Sequence, residues 1–284
     1  MKYCLDCMCD KEYLAQADEI FIRNQYTELL FDVLEDYPKV DVVIDYAIEE
    51  NLNWDVLAAA NETHNGRLII CSSIPAELIE AEKRGIRHFY RHAVSSYYEL
   101  NSLKSLGVCY VYLAPPLFFD MDEVKRFEIP VRAVPNLAYD PYLPHIDGAH
   151  GTWIRPEDMK YYEDYVGVCE FRVGGKDRKE REQTLFNIYK REFWPEDLSI
   201  LITNLHRKCD NKYVAQERLM PIRLNCKQRC EMNGHCHICE RSLDFGITVH
   251  QYHENLKQPD LSLPPASSFV SSYATQLGFL LCSL

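Results

Sequence analysis

The chain is 284 residues long, enough for one large domain with an appendage or for two domains. Its 47% hydrophobic and 26% charged content is that of an ordinary soluble globular protein, and its net charge of −12 argues against non-specific binding to a nucleic-acid backbone, leaving only a local basic groove for such a role. No apolar run is long enough to span a bilayer and Met1 to Asp10 carries no secretory signal, so no membrane is expected and the expected location is the cytoplasm.

The first segment, Met1 to Cys9, holds Cys4, Cys7 and Cys9 and reads as a short strand followed by a helix from Lys11 to Ala17. The three cysteines fall short of a four-ligand set. They are either chance residues at the chain start or part of a second or shared metal site. From Asp18 onward a regular alternation begins. Strands are predicted at Glu19–Arg23, Val42–Tyr46, Arg67–Ser72, Arg87–His92, Cys109–Ala114, Pro130–Asn136, Gly151–Pro156 and Val168–Val173. Helical patterns lie between them at Gln25–Tyr37, Trp54–His64, Pro75–Arg84, Tyr97–Leu106, Met121–Phe127 and Pro156–Tyr165, with a last helix at Arg181–Phe193. Pro75 after Ser73-Ile74 marks a helix start, and Gly85 and Gly107 stand at left-handed positions just past helix ends.

Strands alternating with helices imply parallel strands joined by right-handed crossovers. Eight such units in so short a span predict an α/β chain folded as a (β/α)8 barrel. A doubly wound open sheet is the alternative, weakened by the lack of a glycine-rich phosphate loop. The expected organisation is a barrel over residues 1–195, a cysteine-rich metal-binding segment over 196–245, and a tail over 246–284 that is a docked helix in part or disordered.

That segment carries Cys226, Cys230, Cys236 and Cys239 at spacing C-x3-C-x5-C-x2-C, flanked by His235 and His237. Thiolates are soft ligands, and Asn233-Gly234 offers the turn that brings the two pairs together. Zinc knuckles usually carry well-separated C-x2-C pairs. One compact loop of four favours a 4Fe-4S iron–sulfur cluster over zinc, with unmetallated thiols as the third case. Cys71, Cys109 and Cys169 sit in apolar runs and are expected to be buried and inert.

In a β/α barrel the active site lies at the C-terminal ends of the strands. Polar residues that interrupt or close apolar runs there are expensive to bury without a partner. Asp45, His92 and Glu170 are therefore candidate acid–base groups, and Arg23, Asn136, Arg155 and Arg172 are candidate substrate-binding groups. An internal salt-bridge layer, for example Glu170 with Arg23 or Arg155, is the competing explanation.

The stretch Gly151–Val173, with its Cys169-Glu170-Phe171-Arg172 run and the cysteine cluster further on, resembles the collagenase-like peptidase family. Members of that family pair a β/α barrel with four cysteines holding an iron–sulfur cluster. Some are described as peptidases and others are implicated in oxygen-independent hydroxylation of RNA or quinone precursors. The four cysteines here lie closer together than in the family pattern. The resemblance implies a cytoplasmic iron–sulfur barrel enzyme acting on a small molecule or a nucleic-acid base, by hydroxylase-like or peptidase-like chemistry. A non-catalytic, zinc-stabilised barrel serving as an interaction module is the alternative.

Overall fold

The computed structural model describes residues 1–46, 53–114, 117, 120–135, 154–173, 179–191, 193–201 and 209–214. Among these, eight strands form one sheet: β1 Tyr3–Asp6, β2 Glu19–Ile22, β3 Asp41–Asp45, β4 Leu68–Ser72, β5 Arg87–Tyr90, β6 Val111–Tyr112, β7 Val131–Ala133 and β8 Val168–Arg172. Their order is β5-β4-β3-β2-β1-β8-β7-β6, and every paired neighbour is parallel. The sheet curls until its two ends meet. Cys109 N–H donates to the His88 carbonyl at 2.9 Å, and Val94 forms a parallel bridge with Leu113. This is a nearly closed (β/α)8-like barrel, as the alternation predicts.

Helices fill the crossovers: α1 Lys11–Leu14, α2 Leu30–Asp36, α3 Trp54–Thr63, α4 Pro75–Lys83, α5 Tyr97–Ser105, α6 Met121–Val124, α7 Met159–Tyr161 and α8 Lys179–Tyr189. Their starts are chemically marked. The Asn53 side chain accepts from Val56 N–H to cap α3, and Ser96 with Glu99 closes a capping box on α5. Pro75 opens α4, while Gly85 and Gly107 take positive φ just beyond α4 and α5. Among the described residues, no helix is long and apolar enough to cross a membrane.

Side chains alternate between two environments along each strand. Leu5, Ile20, Ile22, Val42, Ile44 and Ile70 point outward and pack with Leu34, Leu57, Leu78, Leu100 and Phe186 of the helices in one continuous core. Burying each such side chain stabilises the fold by roughly 1.5–3 kcal/mol. Cys4, Phe21, Val43, Ile69, Cys71, Phe89 and Tyr110 point the other way and fill the lumen.

One part of the expected ring is corrected. The barrel begins at Tyr3, not at Glu19, and the expected strand Gly151–Pro156 is not one of the eight. Where that stretch is described, Arg155 is the extended residue before a 3-10 turn, Pro156–Asp158. Proline lacks the N–H a ladder requires and suits a first helical turn. The count of eight survives because β7 pairs directly with β8 and β1 joins the ring between β2 and β8. Its four residues hide their alternation among cysteines. Even so, Tyr3 and Leu5 face the helices while Cys4 lies in the lumen.

Candidate active site at the barrel mouth

The lumen holds two layers of charge. The deeper one is built on Arg132 of β7, fully buried between Glu19 of β2 and Glu170 of β8. One Arg132 nitrogen, Nη2, donates to both carboxylates, at 2.5 Å to Glu170. The guanidinium lies 3.9 Å from the centre of the Tyr110 ring and 5.2 Å from that of Phe89, a cation–π arrangement. Arg132 Nε alone is left without an acceptor. Burial pushes the Glu170 carboxyl up, against the pull of Arg132. Glu170 is thus spoken for by a salt bridge, with Arg132 as partner and not Arg23 or Arg155.

The upper layer sits at the C-terminal ends of the strands. Asp6, at the end of β1, accepts from Arg23 Nε at 2.5 Å. Asp45, at the end of β3, pairs through Oδ2 with Arg91 beyond β5 at 2.8 Å. Glu182 enters from α8, and Asp6 N–H donates to its Oε1 at 2.7 Å. Arg172, the last residue of β8, lays its guanidinium 3.5 Å from the centre of the Phe21 ring. Among the described residues it has no hydrogen bond or ion pair.

The electrostatics tie these groups into one site. Burial raises the Asp45 carboxyl, opposed by the charges of Arg91, Arg172, Arg23 and His92 in that order. Burial likewise pushes Glu182 up to about 7, opposed by the Asp6 N–H and by Arg172 and Arg23, and reinforced by the Asp6 charge. A carboxyl that titrates near neutrality in a charged mouth can exchange a proton at working pH.

The expected site residues divide clearly. Arg23, Asp45 and Arg172 meet at the mouth. His92 stands exposed at the same end, its ring 5.5 Å from that of Tyr90. Arg155 stands apart from them, in contacts that brace the fold. It is buried, grips both oxygens of Asp158 at 2.6 and 3.1 Å, and donates to Asn211 Oδ1 and the Val214 carbonyl. These bonds fasten the segment after β7 to residues 209–214, and none reaches a lumen residue. Asn136 and all four of Cys226, Cys230, Cys236 and Cys239 lie outside the described residues.

Asp6, Arg91 and Glu182 belong to the mouth without having been singled out. The signal for Glu182 is present in the sequence: it shares the spacing of Leu185, Phe186 and Tyr189, all on the buried face of α8. Asp6 stands two residues after lumen-facing Cys4, and so on the same side of β1.

Among the described residues, one group of metal-ligating side chains comes close together. Cys4, Glu19 and Glu170 place one donor atom each within 4.8 Å of one another. They do not fit a metal ion. The Arg132 guanidinium already bridges the two carboxylates, so a positive charge occupies the place a cation would take, and burial disfavours a thiolate at Cys4. Cys7 and Cys9 join the outer core while Cys4 lies in the lumen, so the three N-terminal cysteines are not one ligand set. Cys71 is buried as expected, but Cys109 is half-buried and Cys169 is exposed. No known family model matches the chain and no curated protein matches it, so the likeness to the collagenase-like peptidases rests on the residues quoted for it.

Proposed function

We propose that this chain is a barrel enzyme that binds a small anionic molecule in the C-terminal mouth. Arg172 holds the anion, with Arg23 beside it. Asp45 and Glu182 are the groups that move protons. One observation carries this reading: among the described residues, Arg172 is the lumen cation with no counter-ion, whereas Arg23, Arg91 and Arg132 each have one. A guanidinium presents five donors, and with no protein acceptor at a half-buried position they are open to an anion that displaces water. Glu170 is removed from the acid–base set because Arg132 occupies it. The chain's net charge of −12 favours a small molecule over a nucleic-acid strand as the bound species.

The reading includes a metal centre on Cys226, Cys230, Cys236 and Cys239, an iron–sulfur cluster in preference to zinc, with His235 and His237 dispensable. What supports it is the spacing of four soft ligands in one short loop. Such a cluster would supply electron transfer or a Lewis-acidic iron.

The mouth is tested by titrating the purified chain with phosphate, acetate and glutarate while following ligand signals by NMR. Saturable binding that disappears in Arg172→Met supports the reading. No binding, or binding indifferent to that change, refutes it. The metal is tested by iron, sulfide and zinc analysis of anaerobically prepared protein. Iron and sulfide in stoichiometric amounts, lost when any one of the four cysteines becomes Ser, are expected. Zinc without iron refutes the cluster and favours the interaction-module reading.

A further inference from the structure

Among the described residues, two groups of opposite character in the mouth have no hydrogen-bond partner. Asp45 Oδ1 is buried and accepts from nothing among the described residues, while its sister Oδ2 pairs with Arg91. Arg172 has its face on Phe21 and no acceptor among the described residues. Nearly all buried polar atoms are satisfied in folded proteins, so a buried orphaned acceptor needs a reason, and the half-buried guanidinium whose charge it feels has donors to spare. Together the two form the negative image of a ligand that is anionic at one end and a donor at the other.

We propose that the mouth binds a small amino-carboxylate, its carboxylate on Arg172 and its ammonium on Asp45 Oδ1. This rests on the reading of the mouth as a substrate site and narrows it. Charge decides for an ammonium over a hydroxyl. Asp45 is buried, but Arg91, its counter-ion, is 43% exposed and therefore screened by water. A second positive charge held against Oδ1 supplies what Arg91 leaves short, whereas a hydroxyl supplies a hydrogen bond only. The balance of the site agrees. With Glu182 ionised, the mouth holds the carboxylates of Asp6, Asp45 and Glu182 against the guanidinia of Arg23, Arg91 and Arg172. A net-neutral zwitterion leaves that balance unchanged.

The test compares the standard L-amino acids with their deaminated counterparts on the full chain, by ligand-observed NMR and calorimetry. Informative pairs are L-leucine with 4-methylpentanoate, L-phenylalanine with 3-phenylpropionate and L-glutamate with glutarate. At least one amino acid should bind, and its counterpart should bind about tenfold more weakly or worse. Asp45→Asn should abolish that discrimination while leaving binding of the deaminated acid. Arg172→Met should abolish binding of both. Equal binding of the two members of every pair overturns the inference, yet leaves the anion site standing if Arg172→Met still removes it. Failure of every carboxylate to bind overturns both. The comparison of pairs uses the unaltered protein, so it decides the matter even if Asp45→Asn does not fold.

Discussion

The two charged layers of the lumen are built from the same residue types and behave oppositely. Around Arg132, two carboxylates and three aromatic rings converge on one guanidinium. Around Arg172, no carboxylate comes within bonding distance among the described residues, and a carboxylate oxygen nearby is left bare. The deep layer is closed on itself and plugs the barrel. The upper layer is incomplete without something added. A buried ion pair in itself is weak evidence for stability, because desolvation offsets most of the attraction. Removing one partner is another matter, since it strands the other's charge in the interior. The same arginine-to-methionine change should therefore wreck one layer and scarcely trouble the other.

The largest effect should come from Arg132→Met. It leaves Glu19 and Glu170 buried and facing each other, and should cost about 3–5 kcal/mol in urea unfolding. Neutralising both acids in the Arg132→Met background, with Glu19→Gln and Glu170→Gln, should recover much of that loss. If Arg132→Met alone is as stable as the parent, the deep layer is not the plug described.

Arg155→Ala should follow, at about 3 kcal/mol by the same argument. Its signature is local. Amides of residues 209–214 should lose hydrogen-exchange protection first, because the Arg155 bonds to Asn211 and Val214 hold that segment. Ligand binding at the mouth should be unchanged in whatever fraction remains folded. A loss of binding with full stability would return Arg155 to the substrate-binding set.

Glu182 gives a pH-dependent effect. In the unfolded chain it ionises at the ordinary glutamate value of about 4.3. In the fold it ionises near 7, chiefly because it is buried. Between these values the folded state keeps a proton that the unfolded state has lost, so stability falls as pH rises through that window and is level above it. Glu182→Gln, which keeps an oxygen for the Asp6 N–H, escapes this cost. Its advantage over the parent should be nil below about pH 4 and grow to about 3.5 kcal/mol by pH 8. A stability difference that does not change between those limits would place Glu182 in contact with water, outside the site.

How much of this was legible in the chain follows from where its signals lie. The runs VVIDY and RLIICS carry strand periodicity dense enough to announce β3 and β4, and Gly85 and Gly107 mark helix ends by a constraint only glycine meets cheaply. The strand β1 is four residues long and so offers almost no period to read. Ile154 and Arg155, the described residues before Pro156, read in sequence as the end of a strand, yet the proline cannot donate to a ladder and opens a 3-10 turn instead. For the site, residues that break apolar runs are visible, but not which of them find partners. Arg155 and Arg172 look alike in sequence, and only the fold shows one gripped by Asp158 and the other with no acceptor among the described residues. Glu170 could be read as half of a buried pair, yet its mate, Arg132, lies on a neighbouring strand that only the barrel brings alongside.

The most direct measurement is a paired one on Arg172→Met: its melting temperature, and its binding of the acids used for the mouth. Losing the stacking on Phe21 and losing the burial cost of an unpaired cation nearly cancel, so stability should stay within about 1 kcal/mol of the parent. Binding should vanish. A fall in stability matching that of Arg132→Met, or binding that survives, would mean that Arg172 is one more structural ion in the barrel and that the mouth is not where this protein works.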